Sequence, residues 1–389
     1  MLKNILFIHQ SADLYGSDRV LLSLVKELNP SKYCPIVLLP CDGPLLEELK
    51  NANIEVHIIP IAKLSRSILS VKGLLSLPLV AIRSIRSIDR ILKGRRVSLV
   101  HSNTLAILSG ALWSRWRKVL HVWHVHEIIV RPRLVVAVYS LLLRFFADTI
   151  VCNSYATETN LLARSRSLEV KSTVVWNGLE SSFIRRKGDS KIYREQLGIN
   201  DGDVLVALVG RINSWKGQQV LVSAANLLFD RGYRNIRYLI VGSPPSGQGH
   251  FLDSLKDAIE LSPAKNDFIL RGFIPDIWQV WEACDIAVIP STEPEPFGMV
   301  ALEAMSAGKP VIAANHGGLT EIVSDRETGF LVDSQNKEDF ALKIRELVDD
   351  ENLRKKLGRE GELRYLRYFT LESYITNMEK VYESSVDQC

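Results

Sequence analysis

Short apolar runs rich in Val and Ile recur along the chain, and segments of helical periodicity separate them. "NILFIH", "CPIVLLP", "IEVHIIP", "VSLVHS", "VLHVWHVH" and "TIVCNS" punctuate the first half; "DVLVALVG", "IRYLIVG", "DFILRGF", "DIAVIPS" and "PVIAAN" punctuate the second. A strand that is apolar without alternation has both faces covered, and covering both faces with intervening helices is what a parallel sheet requires. The expected fold is therefore α/β, with each half a doubly wound, Rossmann-like parallel-sheet domain. At 389 residues, two such cores are the natural division. The predicted boundaries are residues 1–180, a polar hinge at 181–203 and a second domain at 204–368. An amphipathic C-terminal helix, 369–389, is expected to pack back on the first domain.

Bulk properties exclude several alternatives. A chain that is 47% hydrophobic and 24% charged has the composition of a folded globular protein. Its five cysteines, Cys34, Cys41, Cys152, Cys284 and Cys389, show no CxxC spacing, which argues against a disulfide framework or a zinc ribbon and fits a reducing compartment. "MLKNILFIHQ" reads as a first buried strand, not a signal peptide. "LVVAVYSLLLRFFA" (134–147) is too short to span a bilayer and reads as a buried helix. The net charge of +4 is unevenly spread, for Lys63 to Arg96 holds nine Lys or Arg against one acid, Asp89. These interleave with Ile and Leu at helical spacing, the pattern of a helix on an anionic membrane surface or of a solvated helix face. No recognition motif or interleaved aromatics suggest a nucleic-acid partner.

Two loops carry the chemistry. In "EPFGMVALEAMSAGKP" (295–310), a helix is expected to start near Gly298 and stop at Gly308, with Pro310 opening the next strand. Its first amides, at Gly298, Met299 and Val300, form an anion site suited to phosphate. Glu295 lies just outside that end and Glu303 more than a turn inside. Two carboxylates so placed suit charge-assisted bonds to sugar hydroxyls, although an internal turn would also satisfy Glu303. In "GRINSWKG", Arg211 and Lys216 follow a strand that ends at Gly210. Arg bridges two oxygens in a plane and Lys supplies a mobile charge, so the pair suits a diphosphate; either one alone would be read as an exposed loop charge. The Walker A ending is absent, which disfavours nucleotide hydrolysis.

Taken together, "GRINSWKG", "PSTEPEPFGMVALEAMSAGKPVIAAN" and "GGLTEIVSDRETGFLV" resemble the retaining glycosyltransferases of family 4, whose fold is GT-B. The resemblance is strong over 204–345 and looser before it. It implies two domains facing across a cleft and transfer of a sugar from a nucleotide-diphosphate donor with retention. Arg211 and Lys216 would hold the diphosphate, Glu303 the ribose, and Glu295 the transferred sugar. Main-chain groups of Phe297, Gly298, Met299 and Val300 would cradle sugar and phosphate, and Gly272 and Phe273 of "RGFI" would meet the base. In the first half, Gly16 would approach the diphosphate, while "YGSDR" departs from the family's usual Gly-Gly and Ala-Glu and leaves Ser17 and Asp18 as acceptor-side candidates.

His126 resembles the family's histidine near the reacting carbon. Alternation puts His124 and His126 on one strand face and His121 on the other, a poor arrangement for a three-histidine metal site. Asn153 and Ser154 at a strand end are further acceptor-side candidates, and "DGD" (201–203) reads as a turn. No metal or other cofactor is expected. The expected partners are a nucleotide sugar, a saccharide or lipid-linked saccharide acceptor and an anionic membrane surface at residues 63–96. The expected setting is the cytoplasm or the inner membrane face, in bacterial surface polysaccharide or lipopolysaccharide assembly. A nucleotide-sugar epimerase of the same fold and a non-catalytic sugar-nucleotide-binding subunit are the alternatives.

Overall fold

A computed structural model describes residues 2–64, 71–180 and 190–387. Arg66 and the side chain of Lys72, counted in the basic segment, lie outside the described residues, as do hinge residues 181–189. The chain divides into two units, Met1–Gly178 with Leu371–Cys389, and Leu179–Thr370.

In the first unit, β1 (Lys3–His9), α1 (Gly16–Glu27), β2 (Tyr33–Leu39), α2 (Pro44–Asn51), β3 (Glu55–Ile58) and α3 (Val71–Leu92) precede the reversal of strand order. After it come β4 (Leu99–Asn103), α4 (Ser109–Arg117), β5 (Leu120–Val125), α5 (Arg133–Phe146), β6 (Thr149–Cys152), α6 (Tyr155–Leu162) and β7 (Ser172–Val174). Among the described residues these strands form a seven-stranded sheet in the order β3-β2-β1-β4-β5-β6-β7. Every pairing is parallel. Ile5, Leu6, Phe7 and Ile8 of β1 are all buried, as an uninterrupted apolar strand between two helix layers must be.

The second unit runs α7 (Ser190–Gln196), β8 (Val204–Val209), α8 (Gln218–Asp230), β9 (Ile236–Val241), α9 (His250–Glu260), β10 (Phe268–Arg271), α10 (Trp278–Ala283) and β11 (Ile286–Ile289). It continues through α11 (Met299–Ser306), β12 (Val311–Ala314), α12 (Leu319–Ile322), β13 (Gly329–Val332), α13 (Lys337–Asp349) and α14 (Glu351–Tyr368). Its six-stranded sheet has the order β10-β9-β8-β11-β12-β13. The last helix, α15 (Leu371–Asp387), belongs to the first unit, where Tyr374, Met378 and Tyr382 are buried and the Tyr382 hydroxyl lies 2.9 Å from His101 Nδ1.

Several sequence expectations shift. Residues 190–203 lie inside the second unit and are not a free hinge: Arg194 of α7 donates to the Ala283 and Asp203 carbonyls at 2.8 and 2.7 Å and to Asp285 at 2.9 Å. Two edge strands escaped the pattern, because "STV" and "GFLV" are too short to show one. Residues 134–147 were expected to be a buried helix. Instead α5 buries one face, with Val136, Tyr139 and Leu143, and exposes Leu134, Val138, Leu141 and Phe145 on the other. The "DGD" segment is a turn, with Asp203 accepting from the Asn200 amide at 3.0 Å.

Close packing is enforced where α14 crosses the end of α11. A Cβ added at Gly358 would stand 2.0 Å from the Gly308 carbonyl oxygen. Helix propensity alone favours alanine over glycine by about 1 kcal/mol. Overpacking of this kind costs roughly 1–3 kcal/mol and should reverse the sign. Gly358→Ala is therefore expected to lower the chemical denaturation midpoint; a raised midpoint would show that the crossing is loose.

Candidate active site

Open parallel sheets bind ligands beyond the carboxyl ends of their strands, where strand order reverses. In the second unit the reversal lies between β8 and β11. The loop after β8 carries Gly210, Arg211, Trp215, Lys216 and Gly217, and the loop after β11 carries Ser291, Thr292 and Glu295.

These loops are joined directly. Gly217 has φ +77°, and a Cβ there would stand 1.9 Å from the Pro290 carbonyl oxygen, so the backbones approach as only glycine permits. The Thr292 amide donates to the Trp215 carbonyl at 2.7 Å. Above this seam Lys216 Nζ donates to Glu295 Oε1 at 2.6 Å, and Ser291 Oγ donates to the same oxygen at 2.6 Å. The two charged side chains are 15% and 6% exposed. Partial desolvation makes such a pair strong and makes the loss of one partner costly. Lys216 also stands 4.5 Å above the Trp215 ring, which holds the ammonium by a cation–π contact. Arg211, exposed at the strand end, has its carbonyl fixed by Gln218 Nε2 at 3.0 Å.

Gly298 caps α11 at φ +114°, and Gly308 ends it at φ +68°. The first helical bond here is donated by Ala301 to Gly298 at 2.9 Å. The amides of Gly298, Met299 and Val300 precede it and carry the positive end of the helix. Gly317 lets the next loop close over Glu295: a Cβ there would lie 2.4 Å from the Glu295 carbonyl oxygen. Glu303 is half-buried, with its Oε2 3.4 Å from the indole nitrogen of buried Trp281. Phe297 is buried against Phe369, so main-chain atoms are what it can offer a ligand. Gly272 and Phe273 follow β10, with the Phe273 ring exposed and its amide donating to Ser243 Oγ at 3.0 Å.

In the first unit the reversal lies between β1 and β4, and a buried polar network occupies it. His9 Nε2 meets Asp18 Oδ1 at 2.6 Å, and Ser11 Oγ donates to that oxygen at 2.6 Å. The Tyr15 amide donates to Asp18 Oδ2 at 2.9 Å. Burial alone would raise the Asp18 carboxyl, but the bonds from His9, Ser11 and Tyr15 win and hold it below its ordinary value. Asn103 Nδ2 lies 3.0 Å from His9 Nδ1, and Asn103 Oδ1 lies 2.8 Å from His126 Nε2. Thus Asp18, named above for the acceptor, is 2% exposed and spent internally; its role is to fix His9. Asn153 and Ser154 are buried and engaged with Thr157. Ser154 caps α6 by accepting from the Thr157 amide at 2.9 Å, and Asn153 Oδ1 accepts from Thr157 Oγ1 at 2.9 Å. Gly16 is exposed with open space where a Cβ would be, and Ser17 is half-buried.

His124 and His126 share a strand face, with ring centroids 4.0 Å apart, while His121 bonds to Ser102 and the Phe146 carbonyl. Among the described residues no three His, Cys, Asp or Glu converge as a metal-binding group. His9, Ser11, Asn103, Ser291 and Trp281 were not singled out in the sequence. For all but Trp281, which lies on α10, the signal is position at or near a strand end, but strand order decides which ends matter.

A family model for group 1 glycosyl transferases matches residues 189–364, and one for glycosyltransferase family 4 matches residues 15–183. The chain belongs to glycosyltransferase family 4. Its relatives include the D-inositol 3-phosphate glycosyltransferase of Corynebacterium glutamicum, 37% identical over 50% of this chain and 46% of its own length. The chain spans about half the length of the inositol-phosphate relatives it matches. An uncharacterized glycosyltransferase of Methanocaldococcus jannaschii is 26% identical over 88% of both chains. The crystal structure of Anabaena HepE in complex with UDP and glucose superposes with a TM-score of 0.85 at 25% identity, covering 99% of this chain and 100% of HepE. The two parallel sheets are those of the GT-B fold.

The buried histidines of this family 4 chain contribute to its acid sensitivity. Burial holds His101 and His126 down at about 3 and His121 at about 4, and drives His124 well below its ordinary value. Depressed histidine values favour the neutral form in the folded chain, so their contribution is complete above about pH 6.5. It is lost as pH falls from there toward 3, because only the unfolded chain takes up the protons. Each histidine adds roughly 1.4 kcal/mol per pH unit to that slope. Both His124 ring nitrogens are buried without a protein partner. His124→Leu should accordingly flatten the decline in denaturation midpoint between pH 7 and pH 5 without lowering the midpoint at pH 7; an unchanged slope refutes the assignment.

Proposed function

We propose that the chain transfers a sugar from a nucleoside-diphosphate donor to a hydroxyl acceptor, with retention at the anomeric carbon and the donor held by the second unit. The observation that carries this is the Lys216–Glu295 pair beside the amino end of α11, at the reversal of strand order. An ammonium has three protons, and the bond to Glu295 uses one. The others face a diphosphate, with Arg211 and the α11 amides as its remaining donors. These groups neutralise the charge that develops on the leaving diphosphate. With Oε1 of Glu295 held by Lys216 and Ser291, Oε2 is left to accept from a sugar hydroxyl. Glu303 takes the ribose hydroxyls, and the main chain at Gly272 and Phe273 takes the base.

Double displacement requires a second carboxyl about 5–5.5 Å from the first on the reacting sugar. Glu295 serves instead as a hydroxyl anchor, which favours attack on the face the diphosphate leaves, with that diphosphate accepting the acceptor's proton. In the first unit His126, fixed through Asn103 and His9, is the candidate catalytic side chain. The complexes of HepE with UDP and UDP-glucose make a uridine-diphosphate sugar the first donor to test. A lipid-linked saccharide in surface polysaccharide or lipopolysaccharide assembly is the proposed acceptor.

UDP should raise the melting temperature of the full chain, and Glu303→Ala should shrink that rise; no rise with any nucleoside diphosphate would remove the donor reading. Product analysis separates transfer from epimerisation, which would change the sugar with no acceptor present.

Lys216→Ala should lower turnover about 10²–10³-fold, the usual loss for one group stabilising developing charge. It should also cost stability, since Glu295 keeps one of its two partners. Adding Glu295→Gln to that variant is expected to restore stability but not turnover. Turnover unchanged in Lys216→Ala would overturn the role.

A further inference from the structure

We infer that the outer faces of α3, α4 and α5 form one docking surface for an anionic lipid bilayer, with α5 as its inserting ridge. On α5, Leu134, Val138, Leu141 and Phe145 follow one another at spacings of four, three and four residues, a single helix face. They are 76%, 41%, 56% and 65% exposed, while Tyr139 and Leu143 on the opposite face enter the core. Single exposed apolar residues are ordinary, but a four-residue ridge along a whole helix is not. On α3, Leu75, Leu79 and Ile82 continue the same kind of ridge, 76%, 51% and 46% exposed. Helix α4 packs against both helices and contributes Trp116, 69% exposed, a residue suited to the headgroup level.

Charge identifies the occupant. Beyond Ile82 the same face of α3 turns basic, with Arg83, Arg86 and Arg90 exposed. Across α3, α4 and α5 the one acidic residue is Asp89, and it is engaged by Arg117 at 2.6 Å and Trp113 at 2.9 Å. An apolar ridge whose own helices carry many cations and one engaged acid matches acyl chains beneath anionic headgroups. A second copy of the chain would set these cations against each other across a two-fold contact, which disfavours self-association. Nucleic acid would satisfy the cations and leave the ridge in water. Among the described residues no helix is long and apolar enough to cross a membrane, so the attachment is interfacial.

The test is flotation of the full chain with phosphatidylcholine vesicles, with and without about one third phosphatidylglycerol. Binding should require the anionic lipid and weaken with salt. Leu141→Asp/Phe145→Asp should reduce it at least tenfold. Arg83→Glu/Arg86→Glu/Arg90→Glu should reduce it by about a hundredfold, taking roughly fivefold per cation. If the aspartate variant does not fold, Leu141→Ala/Phe145→Ala takes its place. Failure to float at low salt, or flotation unaffected by both sets, overturns the inference. So does a dimer in light scattering that the ridge variant dissolves. The UDP-induced melting shift should survive in every variant, so failure here is distinct from failure of the donor assignment.

Discussion

Lys216 and Glu295 meet at 2.6 Å with little solvent access, and the arrangement of the second unit's candidate site depends on that contact. The pair is 79 residues apart in the chain, brought together because β8 and β11 are neighbours at the reversal of strand order. Glycine at position 217 lets the two loops touch. The Thr292 amide closes the seam, and Ser291 completes the carboxylate's bonding. One ion pair therefore orients both side chains, and neither must be ordered separately on ligand binding. Rotamer entropy for the lysine is already spent in the folded chain.

The first unit solves the equivalent position differently. Its reversal, between β1 and β4, is filled by Asp18, His9, Asn103 and His126 in a buried hydrogen-bonded series. A carboxylate in this setting is tolerated because three donors reach it, and its effect is to hold a histidine in place. Around it lie His101, His121 and His124, all neutral through burial. A unit that carries so many uncharged histidines trades acid tolerance for a dense polar interior.

Much of this was legible in the residues. Uninterrupted apolar runs announced the parallel sheets, since each buried strand needed both faces covered. Gly298 and Gly308 marked the limits of α11, because a left-handed backbone at each end is a local property of sequence. Lys216 and Glu295 were legible as residues but not as partners, because no local pattern states that β11 lies beside β8. Asp18 was read as available because an acid early in a helix looks so until β1 supplies His9 and the loop after it supplies Ser11. The outer face of α5 was misread as core because a strongly apolar helix does not reveal from composition alone which of its sides is covered.

The contact between Tyr382 and His101 spans 281 residues of chain. Helix α15 thus completes a hydrophobic interior whose other parts were synthesised before the entire second unit. On a ribosome, the first half can assemble its sheet but must keep the berth for Tyr374, Met378 and Tyr382 uncovered until the last segment emerges. The continuous second unit has no such wait, and the order of translation is the reverse of the order in which the two cores can be sealed.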